Sequence, residues 1–132
     1  MKQEELIKKV CLMQPLCLAL VGDAVESLWL REYFSKTTEL KVNAITRNVN
    51  KIVNAHAQAE SLKIIECDLT DLERDICKRA RNTHTHSTAK NYSVIDYRYA
   101  TAFEALLGFW RLSGQDEKIE KVMQKIINAL KK

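Results

Sequence analysis

A single proline, Pro15, and three glycines, Gly22, Gly108 and Gly114, are the only strong helix breakers in 132 residues. No stretch alternates apolar and polar residues as a half-buried strand does. Apolar residues recur instead at three- and four-residue spacing along most of the chain. That pattern restricts the fold to packed helices, and the length allows one compact domain, 1–132, rather than two. Pro15 suits the first turn of a helix running to about 34. Val42, Ile45, Val49, Ile52 and Val53 predict one helix over about 41–65. "TDLE" at 70–73 is a capping box opening a short helix to about 81. Ser93, with Asp96 three residues on, caps a helix to about 112, which Gly114 ends as a C-terminal glycine. A short helix near 4–12 and an amphipathic one over 116–131 complete the all-α expectation.

Several function classes fall away on composition. Hydrophobic residues make up 46% and charged residues 29%, values of a globular chain rather than a disordered one. No apolar run reaches the roughly 18 residues of a transmembrane helix, so no membrane role is expected. "MKQEELIKKV" lacks the apolar core of a signal peptide, which makes the cytoplasm the expected location. Cys11, Cys17, Cys67 and Cys77 form no CxxC pair and read as free thiols. A zinc set of Cys67, Cys77, His84 and His86 fits no standard ligand spacing.

The net charge of +4 is mild, so its placement carries more information than its total. Lys78, Arg79, Arg81, Lys90 and Arg98 lie in one stretch opposed by a single acid, Asp96. Within it, "RARNTHTHSTAKNYS" at 79–93 has no large apolar residue before Tyr92. Guanidinium, ammonium, amide and hydroxyl groups together are what contacts to phosphates need, although a solvated loop would have a similar composition.

The remaining oddity is chemical. "CLALVGDAVESLWL" at 17–30 is apolar on nearly every side, yet holds Gly22 and Asp23 at its centre. A glycine inside a helix costs about 1 kcal/mol relative to alanine, and a buried carboxylate is costly unless paired. "ATAFEALLGFW" at 100–110 repeats the puzzle around Glu104. Small residues flank both acids at helical spacing, so two backbones can approach closely there. If the two helices pack together, the carboxylates meet, and a hard cation such as Mg²⁺ would relieve their repulsion. The competing reading pairs each acid with a base such as Arg98 or Arg111.

These segments are recognisable. "LALVGDAV" at 18–25 and "YRYATAFEALLG" at 97–108 resemble the paired motifs of the ribonuclease III catalytic domain. "KRARN" at 78–82, "AKN" at 89–91 and "AHAQA" at 55–59 are similar to Mini-ribonuclease III, its compact bacterial branch. The resemblance runs nearly end to end and implies an all-helical homodimer with double-stranded RNA lying across the dimer valley. It also implies that no double-stranded-RNA-binding domain follows the last helix. Asp23 and Glu104 align with the motifs' aspartate and essential glutamate, as catalytic residues and Mg²⁺ ligands acting partly through water. Full-length ribonuclease III carries further acids where this chain has Ala19 and Thr101, so a lean, mostly water-coordinated site is expected. Glu26, one turn from Asp23, is expected to be a surface or interface charge, with an outer-sphere role as the alternative.

The resemblance implies an endoribonuclease that leaves 5′-phosphate and 3′-hydroxyl ends. Arg79, Arg81, Asn82, Lys90, Asn91 and Arg98 are expected to grip the RNA. The implied substrate is the precursor of large-subunit (23S) ribosomal RNA, with a large-subunit ribosomal protein as a possible partner. The rival is a non-catalytic double-stranded-RNA-binding dimer on the same fold. It leaves unexplained why both acids sit inside apolar helices. A DNA-binding module is weaker still, since no helix-turn-helix with a basic recognition helix is present.

Overall fold

A computed structural model describes residues 2–37, 39, 41–83 and 93–131. Among them are seven α-helices and no strand: α1 (Gln3–Cys11), α2 (Pro15–Thr37), α3 (Val42–Ile52), α4 (Ala55–Ile65), α5 (Asp71–Arg81), α6 (Val94–Leu112) and α7 (Asp116–Leu130). A 3-10 turn, Glu66–Asp68, joins α4 to α5.

Helix α6 is the axis of the molecule. Every residue from Ala100 to Trp110 except Glu104 is buried, with α1, α2, α4, α5 and α7 packed around it. A helix apolar on all sides has to be enclosed in this way. The surrounding helices each offer one stripe, as α7 does with Ile119, Met123, Ile126 and Ile127.

The expected capping box is present. Glu73 N–H donates to Thr70 Oγ1 at 3.2 Å, and Thr70 N–H donates to Glu73 Oε1 at 2.9 Å. The second oxygen of Glu73 accepts from Trp110 Nε1 at 2.8 Å and Lys118 Nζ at 2.6 Å, so this cap ties α5 to α6 and α7. Burial pushes the Glu73 carboxyl up, but these donors outweigh it and hold it below its usual value. Ser93 Oγ accepts from Asp96 N–H at 3.0 Å at the start of α6. Gly114, at φ 75°, lies just beyond its end in the left-handed conformation that glycine adopts without strain.

One expected helix proves to be two. The 41–65 stretch breaks between Ile52 and Ala55, because Asn54 is used twice. Its Oδ1 accepts from Ala57 N–H at 2.9 Å to cap α4, while its Nδ2 donates to the Asn50 and Lys51 carbonyls at the end of α3. Asparagine competes with backbone bonding in this way, and Asn54 is the residue that periodicity alone overlooks. Val42, counted in the apolar stripe, is exposed. No single helix among the described residues is long and apolar enough to cross a membrane.

Candidate active site

Asp23 and Glu104 are brought together by the crossing of α2 and α6. A Cβ built on Gly22 would lie 1.6 Å from the Glu104 carbonyl oxygen, and one on Gly108 would lie 1.8 Å from that of Leu18. Each helix presses its backbone into the glycine notch of the other. This answers the puzzle of Gly22. The glycine lets the two acid-bearing helices touch, at a cost in helix propensity of about 1 kcal/mol.

The crossing leaves two like charges side by side. Asp23 is exposed and Glu104 half-buried. Burial first, then a hydrogen bond with Asp23 and the charges of Asp23 and Glu26, push the Glu104 carboxyl up to about 8. Among the described residues neither acid forms an ion pair with a base. Arg111, one candidate partner, instead meets Asp116 at 3.0 Å.

Glu26 corrects the sequence reading. It is neither a surface nor an interface charge, since it is 0% exposed within the single chain. Its Oε1 accepts from Gln58 Nε2 at 2.8 Å, and its Oε2 has no hydrogen-bond partner among the described residues. Burial pushes its carboxyl up to about 7 against the lowering effect of the Gln58 bond, with the charge of Asp23 adding to the rise. Helical spacing placed Glu26 one turn from Asp23 but could not show that α4 closes over it. Gln58, within "AHAQA", is itself buried. The available signal was its register, four residues before Leu62 on the buried stripe of α4.

Among the described residues the donor set is entirely hard oxygen, crowded with like charge and free of neutralising bases, and one buried oxygen is orphaned. Such a set fits a hard divalent cation. Among the described residues no three acidic, histidine or cysteine side chains converge tightly enough to cage an ion. The arrangement therefore suits an ion held by few carboxylates and otherwise by water. The zinc set gains nothing: Cys67 is exposed, Cys77 is buried, and His84 and His86 lie outside the described residues.

The expected RNA contacts divide. Lys90 and Asn91 lie outside the described residues. Arg79 is committed internally, donating to the Cys11 carbonyl at 2.6 Å and to Asp75 at 3.0 Å, so it ties α5 to the end of α1. Arg81, Asn82 and Arg98 line an open cleft of about 340 Å³ with Lys78, Ile95 and Tyr99. Arg81 lies 5.2 Å over the Tyr99 ring and donates to its hydroxyl at 3.2 Å, which fixes the guanidinium at the cleft wall. Nothing in the sequence marks Tyr99 for this role, because a tyrosine at helical spacing looks like core.

Comparison with known proteins follows the same lines. Residues 16–115 match the Ribonuclease III domain family. The chain is 41% identical to the Mini-ribonuclease 3 of Brevibacillus brevis, over 94% of this chain and 92% of that one. It is 39% identical to the Mini-ribonuclease 3 of a Thermoanaerobacter species, over 98% of this chain and 93% of that one. Among solved structures, a Fusobacterium nucleatum protein superposes with a TM-score of 0.81 at 31% identity, covering 87% of this chain and 93% of that one.

Proposed function

Since the chain belongs to the ribonuclease III family, in its Mini-ribonuclease 3 branch, we propose that it is an endoribonuclease hydrolysing double-stranded RNA at Asp23 and Glu104. The observation that carries this assignment is the glycine-to-glycine crossing of α2 and α6, which delivers to one place two carboxylates that no base among the described residues neutralises. The strain of that pairing has no structural purpose unless something positive joins it.

A divalent cation such as Mg²⁺, when bound there, would lower the pKa of a water and stabilise charge on the scissile phosphate. Asp23 and Glu104 would supply the negative charge that holds it. Asp23, being exposed, faces the substrate side, while half-buried Glu104 anchors the site to the core. Arg81, Arg98, Lys78 and Asn82 line the cleft that receives backbone phosphates. An A-form duplex offers phosphates and 2′-hydroxyls across a wide minor groove, so selection works mainly by shape and excludes DNA. Hydrolysis leaves a 5′-phosphate and a 3′-hydroxyl.

The proposed biological substrate is the precursor of large-subunit ribosomal RNA, cut by a homodimer in the cytoplasm, with a large-subunit ribosomal protein presenting the RNA. A gel assay of a long RNA duplex with Mg²⁺ or with EDTA, alongside Asp23→Asn and Glu104→Gln, tests the enzyme. Cutting should require the cation. It should fall in each variant by more than about 100-fold, the upper range for losing a group that merely supports a metal ligand, while duplex binding persists. Undiminished cutting in EDTA or in both variants would overturn the site. Binding without cutting, even on ribosomal precursor RNA with ribosomal proteins present, would make the chain a binding module instead.

A further inference from the structure

The reaction as described leaves Glu26 and Gln58 without a role. Both are buried, at 0% and 5% exposure, and they come from different helices, α2 and α4. A buried carboxylate with one unpartnered oxygen is a poor choice for stability, because an apolar residue there would avoid the desolvation. The pair therefore calls for an explanation beyond packing.

Its geometry supplies one. The Gln58 amide lies between two carboxylates. It donates to Glu26 Oε1 at 2.8 Å, and it lies near enough to Glu104 to favour the charged form of that carboxyl. The end of the amide turned to Glu26 is the NH₂ group, and a carboxylate ionised by a bound cation can only accept from it. The two N–H bonds of that group diverge at a fixed angle in one plane. When Glu26 holds one, the direction of the other is set. Glu26 in turn cannot swing, since it is enclosed and its helix is locked to α6 at Gly22.

We propose that Glu26 and Gln58 form a positioning pair: Glu26 fixes the Gln58 amide, and that amide aims the Glu104 carboxyl at the divalent cation. The inference rests on the proposed cation site at Asp23 and Glu104. Neither residue of the pair touches substrate. The pair orients a ligand from behind, as outer hydrogen-bond partners do around metal ligands generally, where removing one typically weakens affinity or activity about 10–100-fold.

The test uses the full chain as wild type, Glu26→Gln, Gln58→Met, the double variant Glu26→Met with Gln58→Met, and Asp23→Asn. Replacing both members of a buried hydrogen-bonded pair by apolar side chains is near neutral for stability, so the double variant keeps the test valid if Gln58→Met alone unfolds. Mn²⁺ binding to the RNA-free protein is followed by electron paramagnetic resonance. Duplex affinity is measured without cleavage in Ca²⁺, and kcat and KM in Mg²⁺. The double variant should melt like wild type and bind duplex like wild type. Its Mn²⁺ affinity and its kcat should each drop by about 10-fold or more, with KM little changed. Glu26→Gln keeps an oxygen that can accept from Gln58, so its losses should be smaller than those of the double variant.

Wild-type Mn²⁺ affinity and kcat in the double variant, beside an inactive Asp23→Asn, would overturn the pair alone. Mn²⁺ binding and cutting that Asp23→Asn leaves untouched would overturn the cation site, and the pair's role with it.

Discussion

Glu26 and Glu104 sit where a neutral acid is favoured, at about 7 and about 8 against a usual value of 4.5. Below pH about 4.5 both are protonated, folded or unfolded, and they add nothing to the pH dependence. As pH rises above that, the unfolded chain releases these protons while the folded chain keeps them, so stability falls with rising pH. The fall ends once both folded-state values are passed, near pH 8. Glu73 acts in the opposite sense. Its depressed carboxyl contributes stability above about pH 4.5 that is lost as pH drops through its folded value. In EDTA the melting temperature should therefore be highest near pH 5 and decline by more than about 10 °C towards pH 8. Mg²⁺ binds only the ionised acids, so it should raise the melting temperature more at pH 8 than at pH 5. A flat profile in EDTA, or equal stabilisation by Mg²⁺ at both pH values, would count against the coupled acids.

At the scale of elements, the α2–α6 crossing is both the core contact and the site. Gly22→Ala would set a methyl group 1.6 Å from the Glu104 carbonyl oxygen, a backbone atom that cannot yield without moving α6. Overpacking a core commonly costs about 1–3 kcal/mol, and a clash against backbone belongs at or above the top of that range. Urea unfolding should show a loss of about 3 kcal/mol or more. Cleavage should fall further than the folded fraction does, because separating the helices separates Asp23 from Glu104. Much of this arrangement could be read from the sequence. The single proline, the capping box at Thr70 and Glu73, the Ser93 cap and Gly114 announced their helices through local chemistry. Gly22 with Asp23 and Glu104 with Gly108 announced a crossing, since a glycine beside an acid in an apolar helix conflicts with both propensity and solvation. What escaped notice depends on contacts remote in sequence. The Asn54 break turns on one side chain bonding to both flanking helices. The burial of Glu26 depends on α4, more than thirty residues away, and the bond of Arg79 to the Cys11 carbonyl joins helices that are farther apart still.

For the whole molecule, the open side of α2 is the unfinished part. Leu16, Leu20, Ala24 and Leu28 follow one another at four-residue spacing and are all exposed, Leu20 at 75% and Leu28 at 57%. Leu20, Ala24 and Leu28 line a groove of about 680 Å³ together with Val25, Trp29 and Ile119. An apolar stripe of this kind in a chain so rich in charge marks a surface that meets another protein. The occupant that fits the proposed enzyme is a second copy. A symmetric pair formed through this stripe would set Ala24 at the interface and its neighbour Asp23 at the rim. The two acid sites would then flank one valley, each placed for one strand of a duplex. Light scattering of the wild type at micromolar concentration should give twice the chain mass. Leu20→Glu combined with Leu28→Glu places like charges across the symmetry axis and leaves each single chain's core untouched. That variant should scatter as a monomer, keep its helical circular dichroism, and lose double-strand cutting, because one site can reach only one strand. A wild type that is monomeric, or a monomeric variant that still severs both strands together, would show that a single chain suffices and that the stripe has another occupant.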